Sequence, residues 1–250
     1  MSGGLAEHYR SALVRNARAL SREVADRTGL SRRAAARRTA GVPDAVFLWV
    51  PKTAGTSLWR LLEQRGGGLY KTTDAVASTF PGHGLASFGH MHYPELVKSG
   101  AVPADFAARA YKFAVVRNPF ERAVSLFHYL RNERKLPQRM PFELFAELLA
   151  TGGFEPVGAY NTLGLSQCNP QVAWLLDADG SLLPDAVGRF EDLDAFVRVL
   201  NERLGVDGTL THENRSLGRE SYQGCYSSPV ARRCVERAYA ADLERFDYVF

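Results

Sequence analysis

The chain has 250 residues, 46% of them hydrophobic, enough to bury one sizeable core as a single domain with appendages. No apolar run approaches a membrane span, and the start lacks the short apolar core of a secretory signal, so a cytoplasmic protein is expected. Charge is lopsided: residues 1–40 hold nine Arg, no Lys and only Glu7, Glu23 and Asp26, whereas the whole chain is +4, which leaves residues 41–250 slightly acidic.

Residues 1–42 read as a basic helical arm, Arg- and Ala-rich, ending at Ala40-Gly41-Val42-Pro43. Its "VADRTGLSRRAA" has the Ala25…Gly29 spacing and the Leu30-Ser31 of a helix-turn-helix turn. The flanks are too polar to supply the further packed helix of a DNA-reading module, so the expectation is a solvated or loosely docked arm. Residues 43–250 read as one domain.

"AVFLWV" (45–50) is a continuous apolar run, as a buried parallel strand requires, and a helix from Thr56 to Gln64 follows, ended by "RGGG". After a polar loop, "GLASFGHMHYPEL" (84–96) predicts a short strand and a helix from about Pro94. "YKFAVVR" (111–117) is a second buried strand that gives way to Asn118-Pro119, a cap followed by proline at the first helical position. The helix runs on through "FERAVSLFHYLRNER". "PFELFAELLA" (141–150) is another amphipathic helix, and 151–170 is loop-rich. "AVGRF" (186–190) predicts a third strand, Glu191-Asp192 open the helix "LDAFVRVLNERL", and a final helix covers 229–244. Strands alternating with helices indicate an α/β fold on a parallel sheet. Cys168, Cys225 and Cys234 form neither a metal-type pair nor an even disulfide set, which fits buried fillers in a reducing compartment.

The strand–loop–helix at "VPKTAGTSLWRLL" (50–62) has the form of an anion site. Amides around Gly55, Thr56 and Ser57 sit at a helix start, hydroxyls of Thr53, Thr56 and Ser57 add donors, and Gly55 permits close approach. Lys52 comes before the glycine, the reverse of G-x-x-x-x-G-K-[ST], and is placed for a distal or leaving group. With 26 Arg against five Lys in the chain, a lysine in this loop is not a casual choice. The second strand ends in Arg117, where ligands gather in open α/β sheets. Ser125 lies two helical turns after Asn118 on the same face, so guanidinium and hydroxyl can both donate to one phosphate. Arg122, on the intervening turn, reads as a surface or ion-pair residue. Two anion sites imply a nucleotide with two separate phosphate-bearing ends.

Together, "PKTAGTSL" and "VVRNPFERAVSLFHYL" resemble the 5′-phosphosulfate loop and the 3′-phosphate motif of sulfotransferases that use 3′-phosphoadenylyl sulfate (PAPS). The pattern is similar to the carbohydrate-type branch that includes heparan sulfate 2-O-sulfotransferase. Weaker echoes continue in "NPQVAWL", "VGRFEDLDAFVRVL" and the C-terminal stretch, so the resemblance covers about residues 45–250. It implies a P-loop-like three-layer fold with a central parallel sheet flanked by helices. It assigns Lys52 to the bridging oxygen and sulfonate, Thr53, Ala54, Gly55, Thr56 and Ser57 to the 5′-phosphate, and Arg117 and Ser125 to the 3′-phosphate. Arg215 and Ser216 in "THENRSLG" resemble a late loop closing over the nucleotide. PAPS would be the donor, its 3′,5′-bisphosphate PAP the product, and no metal is implied.

Sulfuryl transfer to a hydroxyl also needs a base, and histidine suits neutral pH. The family pattern sets its base directly after a glycine, which matches His90, while His92 orients substrate or shares the role. Phe88 stands where a paired histidine would, so any histidine pair differs from the relative's. His8, His83, His128 and His212 are the weaker candidates. Asn169, Pro170 and Gln171 form a substrate-side turn or a plain loop cap, Glu191-Asp192 favour the following helix's dipole, and Trp49, Trp59 and Trp174 are core or wall. The acceptor class stays open among sugar, glycolipid, small molecule and peptide tyrosine. The alternatives are a P-loop kinase or hydrolase, which lacks any G-K-[ST] here, and a nucleic-acid binder working through the basic arm, for which residues 41–250 offer no basic–aromatic ladder.

Overall fold

The computed structural model describes residues 41–152, 162–205, 210 and 221–250. Its strands are β1 (Ala45–Leu48), β2 (Gly68–Leu69), β3 (Leu85–Ser87), β4 (Tyr111–Val116) and β5 (Ala186–Arg189). All pair in parallel, in the spatial order β2-β3-β1-β4-β5. The connections are helical: α1 (Gly55–Gln64) after β1, α2 (Thr73–Thr79) after β2, and α3 (Tyr93–Lys98) with α4 (Ala104–Arg109) between β3 and β4. Then come α5 (Pro119–Asn132), α6 (Phe142–Thr151), α7 (Leu193–Leu204), α8 (Pro229–Ala238) and α9 (Ala240–Phe246).

Alternation along β1 and β4 divides the core. Val46, Leu48, Ala114 and Val116 face one cluster with Leu96 of α3, Phe106 of α4 and Trp174. Ala45, Phe47, Phe113 and Val115 face the other, built on Leu58 and Leu62 of α1 and on Phe196 and Leu200 of α7. Both sheet faces are therefore covered, which is why these strands read as unbroken apolar runs. The result is the expected three-layer, P-loop-like α/β fold. A third cluster joins α5, α6 and α8 through Phe127, Phe145 and Val235.

Several local expectations change. The strands stop at Leu48, Val116 and Arg189, before the expected 50, 117 and 190. "RGGG" does end α1, but Gly68 also starts β2, which pairs with Ala86 and Ser87 of β3. Helix α2 stands in the expected polar loop, α4 falls in a stretch for which no element was expected, and the last helix breaks at Tyr239 into α8 and α9. The Asn118 cap is as expected: its Oδ1 accepts from Phe120 N at 3.0 Å, and Pro119 is the first helical residue. The three cysteines are only partly buried. Residues 1–40 of the basic arm, with the helix-turn-helix resemblance and His8, lie outside the described residues. No helix among the described residues is long and apolar enough to cross a membrane.

Candidate active site

The carboxyl ends of three adjacent strands meet here. Beyond β1 comes the loop with Lys52, beyond β3 comes His90, and beyond β4 comes Arg117. Parallel pairing puts these ends on one rim of the sheet, where open α/β sheets bind ligands.

The 50–57 loop is held by its carbonyls. Val50 O accepts from Thr53 Oγ1 at 3.0 Å, Pro51 O from Arg122 Nε at 3.0 Å, and Lys52 O from Arg117 Nη1 at 3.4 Å. Ala54 O accepts from Ser57 N and Leu58 N at 3.0 and 3.2 Å. Lys52 and Ala54 take left-handed backbone angles, φ 70° and 65°, which bend the chain sharply into α1. The amides of Gly55 and Thr56 open the helix, and the carbonyls one turn earlier, Pro51 O and Lys52 O, accept from Arg122 and Arg117. Two donors expected for an anion are committed elsewhere: Thr53 is fully buried with its hydroxyl on Val50 O, and the Ser57 amide is on Ala54 O. Thr56 is exposed, and Ser57 and Ala54 are half-buried.

Gly55 has a steric reason of its own. A Cβ there would stand 1.8 Å from the Trp49 indole nitrogen. Trp49 stacks on Phe47 and Trp59 and meets His90 edge-on, so moving it would break these contacts. Gly55→Ala is expected to overpack this stack and cost about 1–3 kcal/mol, a fall in melting temperature of about 3–10 °C by calorimetry.

Lys52 is half-buried, and its ammonium lies 4.3 Å from the centre of the Tyr129 ring. Tyr129 is one turn beyond Ser125 on α5, so the two share a face that the lysine crosses. Arg117 is fixed from three sides: Nη2 donates to Glu121 Oε1 at 2.5 Å, Nη1 to Lys52 O, and the guanidinium lies 4.0 Å over Phe190. Its Nε is buried with no hydrogen-bond partner among the described residues, which suits an arriving anion.

Arg122 is not a surface residue. It is fully buried, with Nε on Pro51 O and Nη2 on Gln167 O and Asn169 O at 2.9 and 3.1 Å, and it clamps the loop from behind. Its place between Pro119 and Leu126 on the apolar stripe of α5 was the signal for burial. Tyr129 was not singled out for the site, and Gln171, expected in a substrate-side turn or a plain loop cap, is wholly buried.

Strand β3 ends at Ser87, so His90 and His92 do not share a strand face. His90 Nδ1 lies 2.9 Å from Trp49 O. A carbonyl only accepts, so Nδ1 carries the proton and the lone pair is on Nε2. Burial pushes the His90 pKa down to about 4; the Trp49 bond opposes this, and the charges of Lys52, Lys71 and Arg122 add to it. The imidazole is therefore neutral at physiological pH and within the field of Lys52. His92 caps α3, and its Nε2 is buried without a partner among the described residues. Burial lowers its pKa too, with Glu95 opposing.

Glu191 does more than face a helix dipole: it accepts from Asn118 N at 2.7 Å and from Tyr248 OH at 2.8 Å, tying the β4–α5 turn to the C-terminal tail. Asn169 receives Ser166 N on its side chain, as a loop cap does. Trp59 and Trp174 are buried, as core or wall residues. Arg215, Ser216 and His212 lie outside the described residues.

Among curated proteins none is a significant sequence match. A crystal structure of a sulfotransferase from Alicyclobacillus acidocaldarius is similar at 21% identity and TM-score 0.48, over 82% of this chain and 94% of that one. Mouse sulfotransferase SULT7A1, solved in complex with PAP, is similar at 16% identity and TM-score 0.50, over 82% of this chain and 86% of that one. At that identity the likeness concerns the fold. The sequence model described as "Sulfotransferase family" matches residues 38–249, nearly the whole chain, and the chain therefore belongs to the sulfotransferase family.

Proposed function

We propose that the protein transfers a sulfuryl group from PAPS to a hydroxyl by in-line displacement. His90 Nε2 takes the hydroxyl proton as the acceptor oxygen bonds to sulfur. Lys52 neutralises the charge growing on the bridging oxygen as the sulfur–oxygen bond to the 5′-phosphate breaks, and PAP departs. The 5′-phosphate rests on the 53–57 loop through the amides of Gly55 and Thr56 and the hydroxyls of Thr56 and Ser57. Arg117 and Ser125 take the 3′-phosphate, Arg215 and Ser216 close over the nucleotide, and His92 orients the acceptor. The acceptor is a carbohydrate or a small hydroxylated molecule, and the enzyme is cytoplasmic.

One observation carries this reading. A neutral histidine, its tautomer fixed by Trp49 O, stands in the field of a lysine that sits in an anion-type loop. PAP in the mouse relative's complex supports the donor.

The test is thermal unfolding of the whole protein with PAP, ATP or duplex DNA. PAP is expected to raise the melting temperature, by an amount that grows with the logarithm of its concentration above Kd. A response to ATP or DNA alone, with none to PAP, would sink the proposal.

A further inference from the structure

We infer that Gln171 and Asp242 are positioning residues that set Arg117 for the 3′-phosphate of the donor, an inference that rests on the reading of Arg117 just given. Arg117 is the first residue past the end of β4, where the sheet's own ladder no longer fixes the main chain. The Gln171 side chain takes over that task. Its Oε1 accepts from Arg117 N at 2.8 Å and its Nε2 donates to Arg117 O at 2.8 Å, so one amide pairs with the backbone as a further strand residue would.

Gln171 is itself held. Asp242, on α9, accepts from Gln171 N at 2.8 Å and from Gln171 Nε2 at 3.3 Å through Oδ2, and from Val172 N at 2.9 Å through Oδ1. Both side chains are wholly buried. An apolar residue would fill either place without the desolvation cost of a carboxylate and an amide, so their presence marks a geometry that packing alone does not specify. The geometry specified is that of Arg117. With its main chain fixed by Gln171 and its guanidinium by Glu121, Lys52 O and Phe190, the buried Nε is presented in one orientation. A guanidinium must meet phosphate oxygens within tenths of an ångström to donate well, so a small rotation about the Arg117 backbone is felt at the phosphate.

The prediction is specific to one phosphate. Binding of PAP and of adenosine 5′-monophosphate, which lacks the 3′-phosphate, is measured by calorimetry on the full chain. The unaltered protein prefers PAP. Gln171→Leu is expected to lose about tenfold of that preference, the worth of one charge-assisted hydrogen bond, with affinity for the monophosphate unchanged. Asp242→Asn, which keeps only one of the two acceptor oxygens, is expected to lose a smaller part. A partly unfolded sample binds both nucleotides less in equal proportion, so the ratio reads positioning rather than stability. Should Gln171→Leu fail to fold, the unbranched, neutral Gln171→Met, which likewise loses both bonds to the Arg117 backbone, gives the same readout. Equal affinity of the unaltered protein for the two nucleotides overturns the donor reading and this inference with it. A clear preference that survives unchanged in the folded variants overturns this inference alone.

Discussion

Lys52→Ala is expected to slow sulfuryl transfer by about 10²–10³-fold, the usual worth of one preorganised donor at a developing negative charge. PAP should still bind, because the loop amides and Arg117 are untouched. The fold should survive. Alanine inherits the same left-handed backbone angle of φ 70°, and the lost contact with the Tyr129 ring is worth about 0.5–1 kcal/mol. Single-turnover transfer of labelled sulfuryl from PAPS to the best acceptor in a panel of hydroxylated compounds measures the effect, with PAP affinity as control. A variant that turns over normally removes Lys52 from the chemistry.

The second large effect belongs to His90. Glutamine at this position retains a donor for Trp49 O but accepts no proton, and His90→Gln should cost about 10²–10⁴-fold in transfer rate. His92→Gln, removing the residue proposed to orient the acceptor, should act mainly on the acceptor's KM. The pH dependence sharpens the assignment. With a pKa of about 4, His90 is ready as a base throughout the neutral range, so kcat/KM should stay flat from pH 8 to 5 and fall only below that. The bound donor's phosphates favour the imidazolium, so the acid limb of kcat should lie higher than that of kcat/KM. An acid limb near the ordinary histidine value in kcat/KM would move the base role elsewhere.

The same shift acts on stability. Above pH 6.5 the ring is neutral whether folded or unfolded. Between 6.5 and 4 the unfolded chain binds a proton that the fold refuses, so stability drops as pH falls. The protein should lose roughly 3 kcal/mol more than His90→Gln over that window.

What the sequence disclosed, it disclosed where local rules were in force. The apolar runs at 45 and 111 had to be covered strands, and Asn118-Pro119 marked the start of α5 to the residue. The turn between β1 and α1 and the place of Arg117 just past β4 were legible because strand–loop–helix junctions are local. Strand β2 was not, because two residues become a strand only by lying beside β3, and Gly68 reads as a helix stop. Arg122 was mistaken because its type belongs outside. Its partners are carbonyls of Pro51, Gln167 and Asn169, up to 71 positions away, and no spacing rule links them. The Asp242–Gln171–Arg117 chain was hidden for the same reason. It joins three segments that meet only once the tail folds back on the sheet. Gly55 was expected for the sake of a ligand, while Trp49 alone already demands it.

The fastened carbonyls of Val50, Pro51, Lys52 and Ala54 also set a timetable. Because the chain's own groups already hold the loop, the proposed anion meets a turn that needs no ordering of its own. Arrival is then governed by diffusion and by the long-range pull of Lys52 and Arg117, and it slows as salt shortens the Debye length below about 10 Å. Affinity at such a loop is adjusted in the residence time. For the proposed nucleotide, a change in this loop should therefore register in the dissociation rate.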